Sequence, residues 1–101
     1  MGGKVLITDS ALNDLREIVG FVALDDPQAA GRLGEKLVAR ALSLSNFPER
    51  HAWHDAKRKV RKMPIPPYLI FYTSDKVAGI VSILHFWHGA RRWPEFPEGP
   101  E

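Results

Sequence analysis

An apolar run, Ile80-Val81-Ser82-Ile83-Leu84-His85-Phe86-Trp87, ends in His88-Gly89-Ala90-Arg91-Arg92, so one strand delivers an imidazole and two guanidinium groups to a single place. A guanidinium is a rigid fork of donors matched to carboxylate or phosphate, and an imidazole can hold or pass a proton near neutral pH. Gly89 is read as the residue whose backbone freedom permits a sharp exit from the strand. An intramolecular ion pair from Arg91 to Glu95 or to a helix carboxylate is the bland alternative.

A second cationic cluster is Lys57-Arg58-Lys59-Val60-Arg61-Lys62. In a strand, alternation separates Lys57, Lys59 and Arg61 from Arg58, Val60 and Lys62. With Val60 turned to the core, Lys59 and Arg61 share the outer face, where they could meet phosphates or an acidic protein segment. Edge lysines that block strand addition account for the same pattern. His51/His54 and His85/His88 have His-x-x-His spacing, but strand residues three apart point to opposite faces and no acidic or cysteine ligand clusters with them, so no metal site is expected. His85 and His51 read as structural, and His88 as a group orienting the Arg91 corner. Of the three tryptophans, Trp87 is assigned to the core and Trp93 to partner contact.

These side chains need a scaffold, and a chain of 101 residues builds one core. With no cysteine, disulfide and thiolate chemistry are excluded. No apolar run is long enough to span a membrane, and Met1 to Asp9 lacks a signal-peptide core, so a cytoplasmic location is expected. The net charge of +2 hides an uneven distribution. Residues 1–50 carry six Lys/Arg and seven Asp/Glu, whereas residues 57–92 carry eight Lys/Arg and Asp75 alone. An anionic partner for the second half follows, unless those cations only face solvent.

Val5-Leu6-Ile7 predicts a short strand, with Asp9 or Ser10 capping a helix that runs to about Leu24 on the stripe Ala11, Leu15, Ile18, Val19 and Val22. Asp26 and Pro27 start a second helix, to about Ser45, with Ala30, Leu33, Leu37, Ala41 and Leu44 on one face. The short connection makes the two an antiparallel hairpin. Residues 46 to 56 read as a loop, followed by strands near 58–63, 68–73 and 77–87. Tyr68-Leu69-Ile70-Phe71-Tyr72, apolar on both faces, reads as a central strand. The expected fold is α+β, in the order β-α-α-β-β-β, with the hairpin on one face of a largely antiparallel sheet. Residues 1–94 form the domain, and 95–101, rich in Pro and Glu, form a tail expected to be mobile.

The opening strand into Ser10-Ala11 and Asp14-Leu15-Arg16-Glu17-Ile18, the Asp26-Pro27-Gln28-Ala29-Ala30 helix start, Phe47-Pro48, the basic strand into Tyr68-Leu69-Ile70-Phe71-Tyr72, and His88-Gly89-Ala90-Arg91 together resemble the RelE/ParE superfamily of bacterial type II toxins. The likeness spans residues 4 to 94. It implies a toxin held inactive by a cognate antitoxin that folds upon docking, with no cofactor and no membrane partner. The apolar surface that an isolated sheet and hairpin leave open predicts self-association, as a homodimer, when the antitoxin is absent. The superfamily has two branches. RelE-like members cleave messenger RNA in the ribosome, and ParE-like members poison DNA gyrase without cutting RNA.

RelE-like sites use lysines on their second strand, an arginine on the third, an arginine after the fourth, and a tyrosine or histidine near the C-terminus. Lys59, Arg61 and Lys62 match the first of these and Arg91 the third. Leu69 stands in place of the third-strand arginine, and Trp93, Pro94, Phe96 and Pro97 beyond Arg91 cannot donate a proton. The resemblance therefore implies a ParE-like gyrase inhibitor with no catalytic residues, meeting its target or antitoxin through Lys59, Arg61, Lys62, His88, Arg91, Arg92 and Trp93. The rival is a ribosome-dependent RNase using Lys59, Arg61, His88 and Arg91, with His88 as the acid. A non-toxic antitoxin-binding module is the third reading.

Overall fold

A computed structural model describes residues 3 to 91. Strand β1 (Lys4–Ile7) leads into helices α1 (Asp9–Ala23) and α2 (Pro27–Leu42). Two 3-10 turns, Ser43–Ser45 and Pro48–Arg50, precede strands β2 (Trp53–Asp55), β3 (Val60–Ile65), β4 (Tyr68–Asp75) and β5 (Ile80–His88). The sheet order is β1-β5-β4-β3-β2, with β1 parallel to β5 and every other pair antiparallel. The α+β architecture and the helical hairpin are as expected. Arg92, Trp93 and the 95–101 tail lie outside the described residues.

Several local expectations are corrected. The cap of α1 is Thr8, not Asp9 or Ser10: its hydroxyl accepts from Ala11 N–H at 3.2 Å and donates to Ile83 O at 2.7 Å, so one side chain starts the helix and ties it to β5. Asp26 caps α2 as predicted, accepting from Ala29 N–H at 3.1 Å, with Pro27 in the first turn. That helix ends at Leu42 and tightens into a 3-10 turn. The 46–56 loop contains an additional strand, β2. Its pairing is short and contains a register shift, which leaves little periodic signal in three residues.

The core lies between the hairpin and one sheet face. Ala11, Leu37, Ala41 and Leu44 pack on Met63, Ile65, Ile70, Tyr72, Val81, Ile83 and Phe86. Since Met63 and Ile65 face the helices, alternation puts Arg61 on that face too and Val60 on the other, the reverse of the expected assignment. Val60 is buried nonetheless, as is Phe71, against which the His54 ring lies at 4.7 Å between centroids. Tyr68-Tyr72 is thus a central strand with Ile70 and Tyr72 buried on one side and Phe71 on the other. Trp87 is only half-buried, because it shares the second face with Leu69 and lies beneath Arg91.

Beyond Ile83, no strand among the described residues lies on the outer side of β5, since β1 pairs only with residues 80 to 83. Leu84 is an extra residue in the pairing, for Phe71 opposes His85 while Tyr72 opposes Ile83. The bare edge is closed by α1. Asp14 Oδ2 accepts from Phe86 N–H at 3.2 Å and from His85 Nδ1 at 2.7 Å. Replacing Thr8 by valine keeps the shape and the Thr8 N–H bond to Ile83 O at 3.1 Å but removes the cap and the second donor to that carbonyl, so unfolding in urea should show a loss of about 1–2 kcal/mol, most of it regained by serine.

Candidate functional site

The His88–Arg91 corner is held by backbone geometry. Gly89 N–H donates to Pro67 O at 2.8 Å, Ala90 N–H to His88 Nδ1 at 3.1 Å, and Arg91 N–H to His88 O at 3.0 Å. Gly89 makes its exit from the strand without a left-handed φ. A Cβ there would stand 3.2 Å from Pro67 O, crowding the carbonyl that its N–H bonds. His88, edge-on to Tyr68 at 5.4 Å between ring centroids, holds the turn with both its ring and its carbonyl. The Arg91 guanidinium lies 4.5 Å over the Trp87 ring, exposed, with no ion pair among the described residues.

The basic run has a different character. Ala56 to Lys59 form a turn, in which Lys59 takes a left-handed φ of 60°, so Lys59 is exposed at the turn and does not share a strand face with Arg61. Arg58 is paired to Asp55 at 3.0 Å and also donates its N–H to that carboxylate. Arg61 stacks 3.7 Å over Trp53 and donates to the carbonyls of Glu49 at 3.2 Å and His51 at 2.7 Å. Lys62 lies half-buried opposite Phe71.

Arg61, with Arg50 and Tyr72, stiffens the segment between α2 and β2. Arg50 donates to Asn46 O and to Ser43 Oγ, and the Tyr72 hydroxyl to Pro48 O. Burial raises the pKa of that hydroxyl above its ordinary value. Phe47, before Pro48, sits in the left-handed region at φ 51° and remains 80 % exposed. Such a conformation costs an ordinary residue of order 1 kcal/mol and persists where surrounding bonds impose it.

The cations fall into two groups. Arg61 belongs to the row Arg61, Tyr72, Ile83, whereas His88 belongs to the row Ile65, Tyr68, His88. Four residues of strand separate these rows, about 13 Å at roughly 3.3 Å per residue. Lys59 lies beyond the first row and Arg91 beyond the second. Leu69 pairs with Trp87 between Arg91 and the centre of the sheet and supplies no charge. The four histidines are likewise dispersed among separate partners, and no cluster of three or more metal-ligating residues occurs among the described residues.

Over residues 5–93 the chain matches the model of the ParE toxin of type II toxin–antitoxin systems, parDE. It belongs to the ParE toxin family. It is also 35% identical, over 89 residues, to Toxin RelE2 of Caulobacter vibrioides, covering 87% of this chain and 97% of that protein. The fold is shared with the chromosomal ParDE system of P. aeruginosa, at a TM-score of 0.73 and 17% identity over 85% of this chain and 95% of that one. It is shared too with the RelBE2 toxin–antitoxin complex of Mycobacterium tuberculosis, at a TM-score of 0.67 and 22% identity over 90% and 95%. No helix among the described residues is long and apolar enough to cross a membrane.

The Asp14–His85 contact escapes notice in the sequence because the two residues are 71 positions apart and no local spacing links them. Burial raises the Asp14 pKa, outweighing the His85 and Phe86 bonds that favour the carboxylate. Asp14→Asn, which removes that burial penalty and still accepts from Phe86 N–H, should therefore be milder in urea than Asp14→Ala, which leaves a donor unsatisfied at about 1–3 kcal/mol.

His51 and His54 have pKa values lowered chiefly by burial, with help from Arg50 and Arg40 at His51 and from Lys62 at His54. The unfolded chain then binds more protons as the pH falls from the ordinary histidine value of 6.5. Their contribution to stability is complete above 6.5 and declines toward the depressed values. Asp14, raised above 3.8, has the opposite sign at lower pH. Thermal melts should fall on mild acidification, with a shallower slope in a His51→Gln/His54→Gln variant.

Proposed function

We propose that this toxin acts by binding DNA gyrase and stalling it on DNA, that a cognate antitoxin neutralises it, and that the His88–Arg91 corner is its working surface. Lys59, Arg61 and Lys62 at the other end of the sheet, with Arg92 and Trp93 beyond the described residues, complete the candidate contact set. The observation carrying this reading is the separation of the cationic groups.

Cleaving RNA through its 2′-hydroxyl requires a base, a cation for the charge growing on phosphorus and an acid for the departing oxygen, all within reach of one phosphate. Here Arg61 and His88 stand in rows about 13 Å apart by strand rise. Arg61 is also engaged with two carbonyls and an indole. A surface that grips through separated patches suits inhibition by binding, and the match to the ParE family model supports the same target class.

The messenger RNase reading retains one specific support, the 35% identity to a protein named Toxin RelE2. Purified protein should block supercoiling by gyrase and leave transcripts intact in a coupled translation reaction; transcripts cut within codons while supercoiling proceeds would reverse the assignment. Arg91→Ala should abolish most growth arrest on induction while its melting temperature stays near that of the parent. Full arrest by a folded Arg91→Ala variant would remove Arg91 from the working surface.

A further inference from the structure

Alongside the inward stripe of α1 runs a second stripe, Glu17, Phe21 and Leu24, at helical spacing. Phe21 is 77 % exposed and Leu24 86 % exposed, an unusual position for two large apolar side chains on a hairpin already packed on its sheet. Phe21 borders a cleft of about 310 Å³ between α1 and the end of the sheet, completed by Glu17, Ile18, Tyr68, His88 and Arg91. Its lining is apolar along Ile18, Phe21 and Tyr68. Its rim carries a carboxylate, Glu17, and a guanidinium, Arg91, which make no ion pair with each other or with any other described residue.

We propose that this cleft is the anchor point for the antitoxin, receiving one apolar side chain against Ile18, Phe21 and Tyr68 while a neighbouring carboxylate of the same segment pairs with Arg91. A cation on the other side of that apolar residue would complement Glu17. Nucleic acid is a poor occupant, since phosphates would be repelled by Glu17 and would leave Phe21 and Leu24 uncovered. A protein segment satisfies both the apolar surface and the fork of Arg91. The inference rests on the toxin reading above and adds a means of control: the antitoxin takes the guanidinium that the target needs, so neutralisation is competition for Arg91.

The test uses the full chain co-expressed with the antitoxin encoded by the neighbouring reading frame, with affinities measured by calorimetry on the separated proteins. Phe21→Gln and Arg91→Gln should each weaken the complex by about tenfold or more, as expected at anchor positions, while Val77→Ser, in the β4–β5 turn, should change it by less than about twofold. High salt should shrink the Arg91 effect and leave the Phe21 effect intact. In the unmodified proteins, amide hydrogen exchange should slow at residues 17–21 and 88–91 on complex formation, which decides the matter even if a variant folds poorly.

Near-parental affinity in both folded variants, or unchanged exchange across both segments, would overturn the proposal. So would light scattering showing that a second copy of this chain fills the cleft within the complex. The toxin reading is judged separately, by growth on induction without the antitoxin: absence of arrest refutes toxicity while the exchange data still report whether the cleft is the dock.

Discussion

The outer edge of β5 past Ile83 is the constraint on which the other features depend. A strand edge without a neighbour presents peptide groups that must find partners, and here α1 and its cap provide them from two side chains nearly two turns apart. Thr8 serves Ile83 and the helix start together, and Asp14 serves Phe86 and His85. Helix α1 is thereby fixed in height and rotation against β5. Its inner stripe then meets the core, and its Glu17–Phe21 flank comes to rest beside Tyr68, His88 and Arg91. The His88–Arg91 corner is placed by the same bonds that repair an interrupted sheet.

Parity in β3 organises the opposite end. Met63 and Ile65 are claimed by the helical face, so Arg61 must emerge on that side, where it donates to the carbonyls of Glu49 and His51 in the connection before β2. A charge that alternation alone would assign to solvent becomes a tie between strand and loop. Phe71 and Val60 form a smaller buried layer on the second face, so the central strand is enclosed without a second pair of helices.

Much of this was legible in the sequence. Asp26-Pro27 announces its helix because capping and a fixed φ act locally, and the apolar stripes of α1 and α2 and the two-sided Tyr68–Tyr72 strand have periods that only one environment satisfies. What was not legible depends on pairing. β2 has too few residues for a period, Lys59 leaves the strand through a turn whose Asp55 anchor lies four residues back, and Val60 suggests the opposite parity for β3 from the one that Met63 and Ile65 impose. At the candidate site, the Arg91 corner was visible as a motif. Phe21 was not, because the cleft it borders is completed by Tyr68, His88 and Arg91, which only the fold brings beside it.

The ties made by the basic residues bear on how strongly the molecule is felt at a distance. A formal isoelectric point near 9.2 suggests a polycation that would cling to any nucleic acid. Yet Arg58 is offset by Asp55, Lys76 stands 3.8 Å from Glu49, and Arg61 is folded inward over Trp53. Two of the cations are therefore offset by a neighbouring carboxylate and a third is tied down at one end of the sheet, so the field there is gentler than their count implies. Selectivity for a partner then falls to short-range shape and pairing at a few points, which suits a molecule that must be recognised by one protein amid a crowd of polyanions.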